Sequence, residues 1–275
     1  MTAWKNDYLF NRDTILPADA VKHAVQSFES INLEEMDSVK LMDRFDTKFV
    51  FRFDQLPAIL QLASKYYRVL HINEERIFSY TSTYYDTVGH NMYHDHHNRK
   101  LNRFKVRKRE YLNSGQVFFE VKYKSNKGLT RKKRIQTANR NKKFCAEEKK
   151  FLKKVTPYRA KILYPVLNNN FSRITLIHKL NAERVTIDLD LKFDYCNKTA
   201  GFPLLTIAEI KQGKSSGKSD LKNIFNENQI KSMNFSKYCM GTVLLNTAIK
   251  YNRFKQKFLS LQKLSNNSKY ASINY

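Results

Sequence analysis

The chain is poor in residues that break or staple a fold: its 275 residues include 7 Gly, 5 Pro and 3 Cys. So little Gly and Pro excludes a collagenous, linker-like or low-complexity chain. Cys145, Cys196 and Cys239 lie far apart and form no ligand-like pair, which argues for reduced thiols rather than a disulfide framework or a zinc site. No stretch approaches the roughly 20 apolar residues that a membrane-spanning helix needs. The opening "MTAWKNDYLFN" lacks the apolar core of a signal peptide. These absences predict a cytoplasmic protein, with the inner face of the membrane as the alternative and any membrane contact peripheral. Negative charge is scarce as well: 25 Asp+Glu stand against 50 Lys+Arg, a formal net charge of +25. Such a field attracts polyanions without saying which.

Core-building material is plentiful. Hydrophobic residues make up 41% of the chain, with 19 Phe and 16 Tyr. Residues 1–40 read as a polar lead-in with short helices, 41–250 as the main domain, and 251–275 as a loosely ordered tail rich in Lys, Asn and Ser. Strand-like alternation recurs in "RFDTKFVFRF", "SYTSTYYDT", "RFKVRKREY", "VFFEVKYK", "LTRKKRIQ", "NFSRITLIHKL", "RVTIDLDLKFDY" and "LLTIAEIKQG". Helical spacing marks "DQLPAILQLASKYYRVL", "NKKFCAEEKKFLKKV", "KSDLKNIFNENQI" and "SKYCMGTVLLNTAIKY", and more weakly residues 158–167. About eight strands with a few helices and no internal repeat predict an α+β fold, a closed antiparallel β-barrel with helices packed outside.

The strands carry their charge in an unusual way. At strand spacing Lys105, Arg107 and Arg109 share one face, and Phe104, Val106 and Lys108 the other. Arg44, Asp46 and Lys48 share a face, as do Glu120, Lys122 and Lys124. Asp188 and Asp190 fall with Arg184, and Glu209 with Lys211. For any single strand this reads as an ordinary wet face opposite a core face. Taken together, many cations beside recurrent single carboxylates fit a barrel with an apolar exterior and a charged lumen. Cations crowded there repel by about 4 kcal/mol per pair at 4 Å and an effective dielectric near 20. A bound chain of phosphates would remove that repulsion.

The motifs "RFDTKFVF", "YYDT", "NRFKVRKREY", "FFEVKYK", "TRKKR", "FSR", "RVTIDLDLKF", "AEIK" and "SKYCMG" occur in this order between residues 44 and 241. In them the chain resembles the vacuolar transporter chaperone (VTC) domain, a polyphosphate polymerase of the CYTH-like triphosphate tunnel metalloenzyme superfamily. The resemblance implies a basic tunnel in which Lys48, Arg107, Arg109, Lys122, Arg173, Arg184, Lys211 and Lys237 bind the triphosphate of ATP and the growing polyphosphate. Lys133, or a neighbour in "TRKKR", would join them, and so would Lys105. Glu209 matches the family's metal-binding carboxylate, with Mn²⁺ or Mg²⁺ as the ion, and Glu120 would orient metal or lysine. The groups implied to act on the transferred phosphate are Arg107, Arg109, Lys122, Lys211 and Glu209.

One departure bears on the reaction. Hydrolytic relatives open with Glu-x-Glu-x-Lys, where this chain has Arg44, Asp46 and Lys48. With one carboxylate replaced by a cation, transfer to phosphate is favoured over hydrolysis. The expected activity is therefore an ATP-dependent polyphosphate polymerase. A triphosphatase or polyphosphatase on the same scaffold, and a non-catalytic polyphosphate-binding protein, remain alternatives. A nucleic-acid module is disfavoured, because the aromatics alternate opposite the cations instead of interleaving with them. Transport of product across a membrane would need a separate membrane protein.

Several other features have plain readings. Asp188 and Asp190 are expected to pair with lumen cations, and Tyr84, Tyr85 and Asp86 to pack. The stretch "HNMYHDHH" reads as a solvated loop and not a metal site, and "KKFCAEEKKFLKK" as a surface helix whose charges face water.

Overall fold

The structure, a computed structural model, describes residues 18–38, 44–213 and 216–266. Residues 1–17 of the expected lead-in and 267–275 of the expected tail lie outside the described residues. In chain order the strands are β1 (Glu29–Ile31), β2 (Arg44–Arg52), β3 (Tyr67–Leu70), β4 (Ile77–Asp86), β5 (Arg103–Tyr111), β6 (Gln116–Lys124), β7 (Thr130–Thr137), β8 (Tyr164–His178), β9 (Glu183–Tyr195), β10 (Lys198–Phe202) and β11 (Leu205–Gly213). The helices are α1 (Ala18–Gln26), α2 (Leu33–Ser38), α3 (Leu56–Ala63), α4 (Asn91–His97), α5 (Ala146–Val155), α6 (Asp220–Glu227), α7 (Lys237–Leu245) and α8 (Lys255–Asn266).

Eight strands form one antiparallel path, β2-β11-β9-β8-β4-β5-β6-β7. The expected barrel does not close. The sheet curls through 192° into a half-barrel whose edges stand 10 Å apart. Hydrogen-bonded strands need about half that separation, 4.7–4.9 Å. Both edges have a reason not to pair. On β2, Met233 N already donates to Lys48 O at 2.8 Å, and Ser232 bridges Phe49. On β7, four consecutive cations, Arg131 to Arg134, blunt the edge in the way charged edge strands do.

Alternation puts the apolar residues on the convex face. Phe49 and Phe51, Val185 and Ile187, and Ala208 and Ile210 are buried there with Val21 and Val25 of α1, Leu60 of α3 and Ile224 of α6. Phe225 of α6 wedges against Phe49 and Phe51, with ring centroids 4.6 and 5.4 Å apart. Each such buried side chain stabilises the fold by about 1.5–3 kcal/mol. On the other flank Leu152 of α5 joins Val106, Phe119 and Val121.

One helix departs from the expected exterior position. α7 lies against the concave face, where Tyr238 stacks on Tyr84 of β4 at 5.2 Å. Gly241 permits the approach: a Cβ there would sit 2.4 Å from the Phe193 ring. Phe258 and Leu261 of α8 are buried in the same cluster. The sheet thus has helices on its convex side and a plug at one end of its concave side. The plug covers apolar residues of that face, which water would otherwise reach.

Three local expectations change. Residues 158–167 form no α-helix but a single 3₁₀ turn, Ala160–Ile162, and β8 then begins at Tyr164 and pairs with β4 as far as Ile174. Its Asn-rich stretch bonds across strands: Asn168 donates to Asp194 at 2.7 Å, and Asn169 to Lys192 O at 3.0 Å. The His-rich stretch is not a loop but α4, because Asp86 accepts from Met92 N and Tyr93 N, both at 2.9 Å. Asp86 also accepts the hydroxyl of Tyr238, so one buried carboxylate ties β4, α4 and α7 together.

The charges of α5 do not all face water either. Glu148 is fully buried, and its Oε1 lies 2.9 Å from Nζ of Lys108, the outward-facing cation of β5. Lys108 also donates to Asn141 O at 2.8 Å. Replacing Glu148 by alanine strands that ammonium and is expected to destabilise the protein by about 3–5 kcal/mol in urea denaturation. The double variant Lys108→Met, Glu148→Leu is expected to recover most of the loss, since two well-packed apolar groups can replace a buried pair at little cost.

Candidate active site

The concave face encloses a cavity of about 1540 Å³. Strand period and register decide what lines it. Along β5, Arg103, Lys105, Arg107 and Arg109 all point in. Cross-strand neighbours then fall into two kinds. In three rungs opposite charges meet as ion pairs, Arg107 with Glu120, Arg173 with Asp188, and Lys48 with Glu209; Glu120 also stands opposite Arg134, and Asp46 opposite Lys211. Four rungs pair like charges: Arg103 with Lys124, Lys105 with Lys122, Lys122 with Lys132, and Arg184 with Lys211. Like charges directly opposite are destabilising in a sheet.

Each carboxylate serves two cations. Glu120, 1% exposed, accepts from Arg107 Nη2 at 2.6 Å and Nε at 2.7 Å, and from Lys132. Asp188 receives the fork of Arg173, Nε at 2.6 Å and Nη2 at 2.9 Å, and the ammonium of Lys237 from α7. Glu209 is held by Lys211 at 2.8 Å and by Lys48. Burial alone would raise all three carboxyls. Arg107 at Glu120, Arg173 at Asp188, and Lys211 with Lys48 at Glu209 outweigh it and hold them well below the usual carboxylate range. The shift favours the anionic form of all three.

Arg109 differs from the other arginines. It faces Phe118 across the rung, and its Nε donates to Ser82 Oγ at 3.0 Å. Its guanidinium lies 5.7 and 5.4 Å from the Tyr80 and Phe171 rings. Burial, with Arg107 and Arg173 nearby, pushes it down to about 10. Burial likewise pushes Lys132 and Lys237 down to about 8, against the pull of Glu120 and Asp188. Lys122 is pushed well below its ordinary value by burial and by Arg107. Lys105, lowered by burial, donates to Ser236 Oγ at 3.2 Å. A basic group that protonates reluctantly in an empty site is one that a phosphate oxygen would stabilise.

The structure brings Lys48, Lys105, Arg107, Arg109, Lys122, Arg173, Arg184, Glu209, Lys211 and Lys237 to this one cavity. Glu120 is buried between Arg107 and Lys132. Lys133 is not brought in. It stands opposite Val121, on the convex side of β6, so the inward cations of "TRKKR" are Lys132 and Arg134. Alternation alone left that choice open; the pairing of Lys132 with Lys122 decides it. Ser82, the partner of Arg109, gave no signal in the sequence. Asp188 pairs with cations as expected, and Asp190 lies 3.1 Å from Lys192 at a register shift where its φ is 53°.

For a divalent ion the donor set is thin. Among the described residues no group of three or more His, Cys, Asp or Glu converges, and that includes α4. Glu209 faces the cavity with one carboxylate, already shared by two lysines. The oxygens of Glu120 point to Arg107 and Lys132. This fits Mg²⁺ or Mn²⁺ only where phosphate oxygens complete the shell, as Mg²⁺ sites with one or two carboxylates commonly do.

Similar solved structures include a proposed adenylate cyclase of Bacillus halodurans, 14% identical, TM-score 0.45, covering 71% of this chain and 96% of that one. Another is the PH1819 protein of Pyrococcus horikoshii, 12% identical, TM-score 0.42, with 71% and 95% covered. A third is a proposed adenylyl cyclase of Hippeastrum described as having a dominant triphosphatase activity, 12% identical, TM-score 0.42, with 74% and 96% covered. No curated protein matches the chain. The VTC domain family matches residues 43–246, from the start of β2 to the end of α7, and the chain belongs to that family.

Proposed function

We propose that the cavity transfers the terminal phosphate of ATP to a chain of inorganic polyphosphate. The observation that carries this reading is the set of like-charge rungs around Arg109, a row of cations whose mutual repulsion a run of phosphates would relieve. Phosphoryl transfer asks mainly for alignment and for positive charge on the moving group. Arg109 can hold two oxygens with its fork, while Lys122, Lys132 and Lys211 act as point charges. A terminal oxygen of the acceptor chain forms the new P–O bond as the bond to the β-phosphate of ATP breaks, leaving ADP. That oxygen is anionic at neutral pH, so no protein nucleophile is needed. A divalent ion held by Glu209 and the phosphates would offset charge on their oxygens.

Asp46 supports transfer over hydrolysis: it is tied to Arg44 at 3.0 Å on an exposed part of β2 and adds no carboxylate to Glu209. The open seam supports the second reading, a triphosphatase, because water can enter beside β2. Among the described residues no helix is long and apolar enough to cross a membrane. The deciding assay incubates the full chain with ATP and Mn²⁺. ADP and a polyphosphate ladder are expected, both lost in Glu209→Ala. Free phosphate without a ladder would establish the hydrolase instead.

A further inference from the structure

Among the described residues β7 pairs with β6 alone, so one of its backbone edges is uncovered. Every second residue of its eight turns its N–H and C=O away from β6. The edge of β2 stands 10 Å away, which leaves room for one strand at a spacing of about 4.7–4.9 Å. β2 is already held by Ser232 and Met233 at Phe49 and Lys48, so a strand entering there would pair with β7 alone. Lys132 turns inward to Glu120, and Arg134 lies over the Phe118 ring at 4.5 Å. Arg131 and Lys133 turn to the convex side, opposite Tyr123 and Val121; both are exposed, and among the described residues neither has an acid partner. Ile135, next on that face, packs against the cluster of Val106 and Phe119. Where β7 ends, Gln136 and Thr137 wall a second cavity of about 470 Å³ with Gln116 and Arg140.

We infer that the outer edge of β7 binds an extended, acidic segment of a partner protein as an added strand, with acids beside Arg131 to Arg134 and an apolar residue beside Ile135. The row of cations that blunts this edge against chance pairing also selects an acidic strand, because opposite charges across a rung attract and like charges repel. Main-chain hydrogen bonds give affinity in such an addition and a pocket gives specificity; the cavity at Gln136 and Thr137 would take a side chain beyond the acidic run. The occupant comes from another protein. A second copy of this chain would bring the same four cations, and the terminal residues outside the described ones carry no acidic run: 1–17 hold Asp7 and Asp13 against Lys5 and Arg12, and 267–275 hold no acid. The edge is distinct from the cavity proposed for phosphate transfer and does not depend on that activity.

The test titrates the full chain into a labelled peptide of four Glu flanked by Val-Val on each side, read by fluorescence anisotropy. Saturable binding is expected, weakened about tenfold when Arg131→Glu and Lys133→Glu are combined. Arg131→Gln with Lys133→Gln serves if charge reversal disturbs folding. Binding is expected to persist in excess tripolyphosphate, which competes for the cations of the cavity. Two further peptides, methylated on the odd or on the even backbone nitrogens, keep every charge. One of them is expected to lose binding and the other to keep it, since an added strand bonds β7 along one edge only. Hydrogen exchange at the amides of Thr130–Thr137 is expected to slow with the unmethylated peptide. No binding, equal binding of both methylated peptides, displacement by tripolyphosphate or by a single-stranded oligonucleotide, or unchanged exchange along β7 would each overturn the strand-addition site.

Discussion

Replacing Arg109 by alanine is expected to lower kcat/KM for ATP by about 10²–10³, the usual effect of deleting one preorganised donor from a transition state, while leaving the folded protein as stable as before or more so. The two halves of this result have one cause. Arg109 has no carboxylate across its rung and sits beside Arg107 and Arg173, the charges that with burial bring it to about 10. In the free protein its charge is a liability, eased by Ser82 and by the Tyr80 and Phe171 faces. Only a phosphate turns it to advantage. Arg109→Lys keeps the charge but loses the planar fork, and an intermediate loss is expected. Steady-state kinetics and thermal melting of the same samples check this. A variant that melts much earlier yet turns over normally would make Arg109 a structural residue and remove the central support for phosphate transfer here.

Asp188→Ala is expected to behave in the opposite way. It leaves the Arg173 guanidinium and the Lys237 ammonium without their shared partner, and it severs the ion pair between α7 and β9. Removing one member of a buried charged group typically costs about 3–5 kcal/mol, and urea denaturation should show a loss of this size. Polyanion binding should tighten, since two cations are released to face the cavity. Long-chain polyphosphate is accordingly expected to raise the melting temperature of the variant more than that of the parent. The pH dependence follows from the sign of the shift. The folded carboxyl is depressed, so the stability Asp188 contributes is fully present above the ordinary carboxylate value near 3.9 and is lost as pH falls toward the lower folded value. The parent and the variant should therefore converge in stability only in strong acid. Convergence near neutral pH would mean that Asp188 is not the anion the geometry requires.

Arg109→Ala and Asp188→Ala together separate what the cavity does for the fold from what it does for a ligand. Three ion-paired rungs hold β2, β11, β9, β8, β5 and β6 in register around the cavity, and the like-charge rungs are left for phosphate.

Strand period was enough to reveal the most unusual property of this protein. Because side chains alternate strictly, the residues of "FKVRKREYL" and "VFFEVKYK" determined by themselves that cations share one face and apolar groups the other. The scarcity of Gly, Pro and Cys determined that the chain folds on a packed core. What alternation does not contain is the identity of the partner strand, which follows from pairing between residues far apart in the chain. Only the tertiary structure decided that Glu120 meets Arg107, that Lys132 and not Lys133 turns inward, and that Lys108 finds Glu148 on the outside. The same holds for α4, whose first turn is capped by Asp86 from the end of β4, and for α7, whose apolar stripe signalled a helix but not which face of the sheet it covers. The open seam was hidden for the same reason. Closure depends on whether two edges separated by most of the chain can meet, and the edge of β2 is taken by Ser232 and Met233 before β7 can reach it.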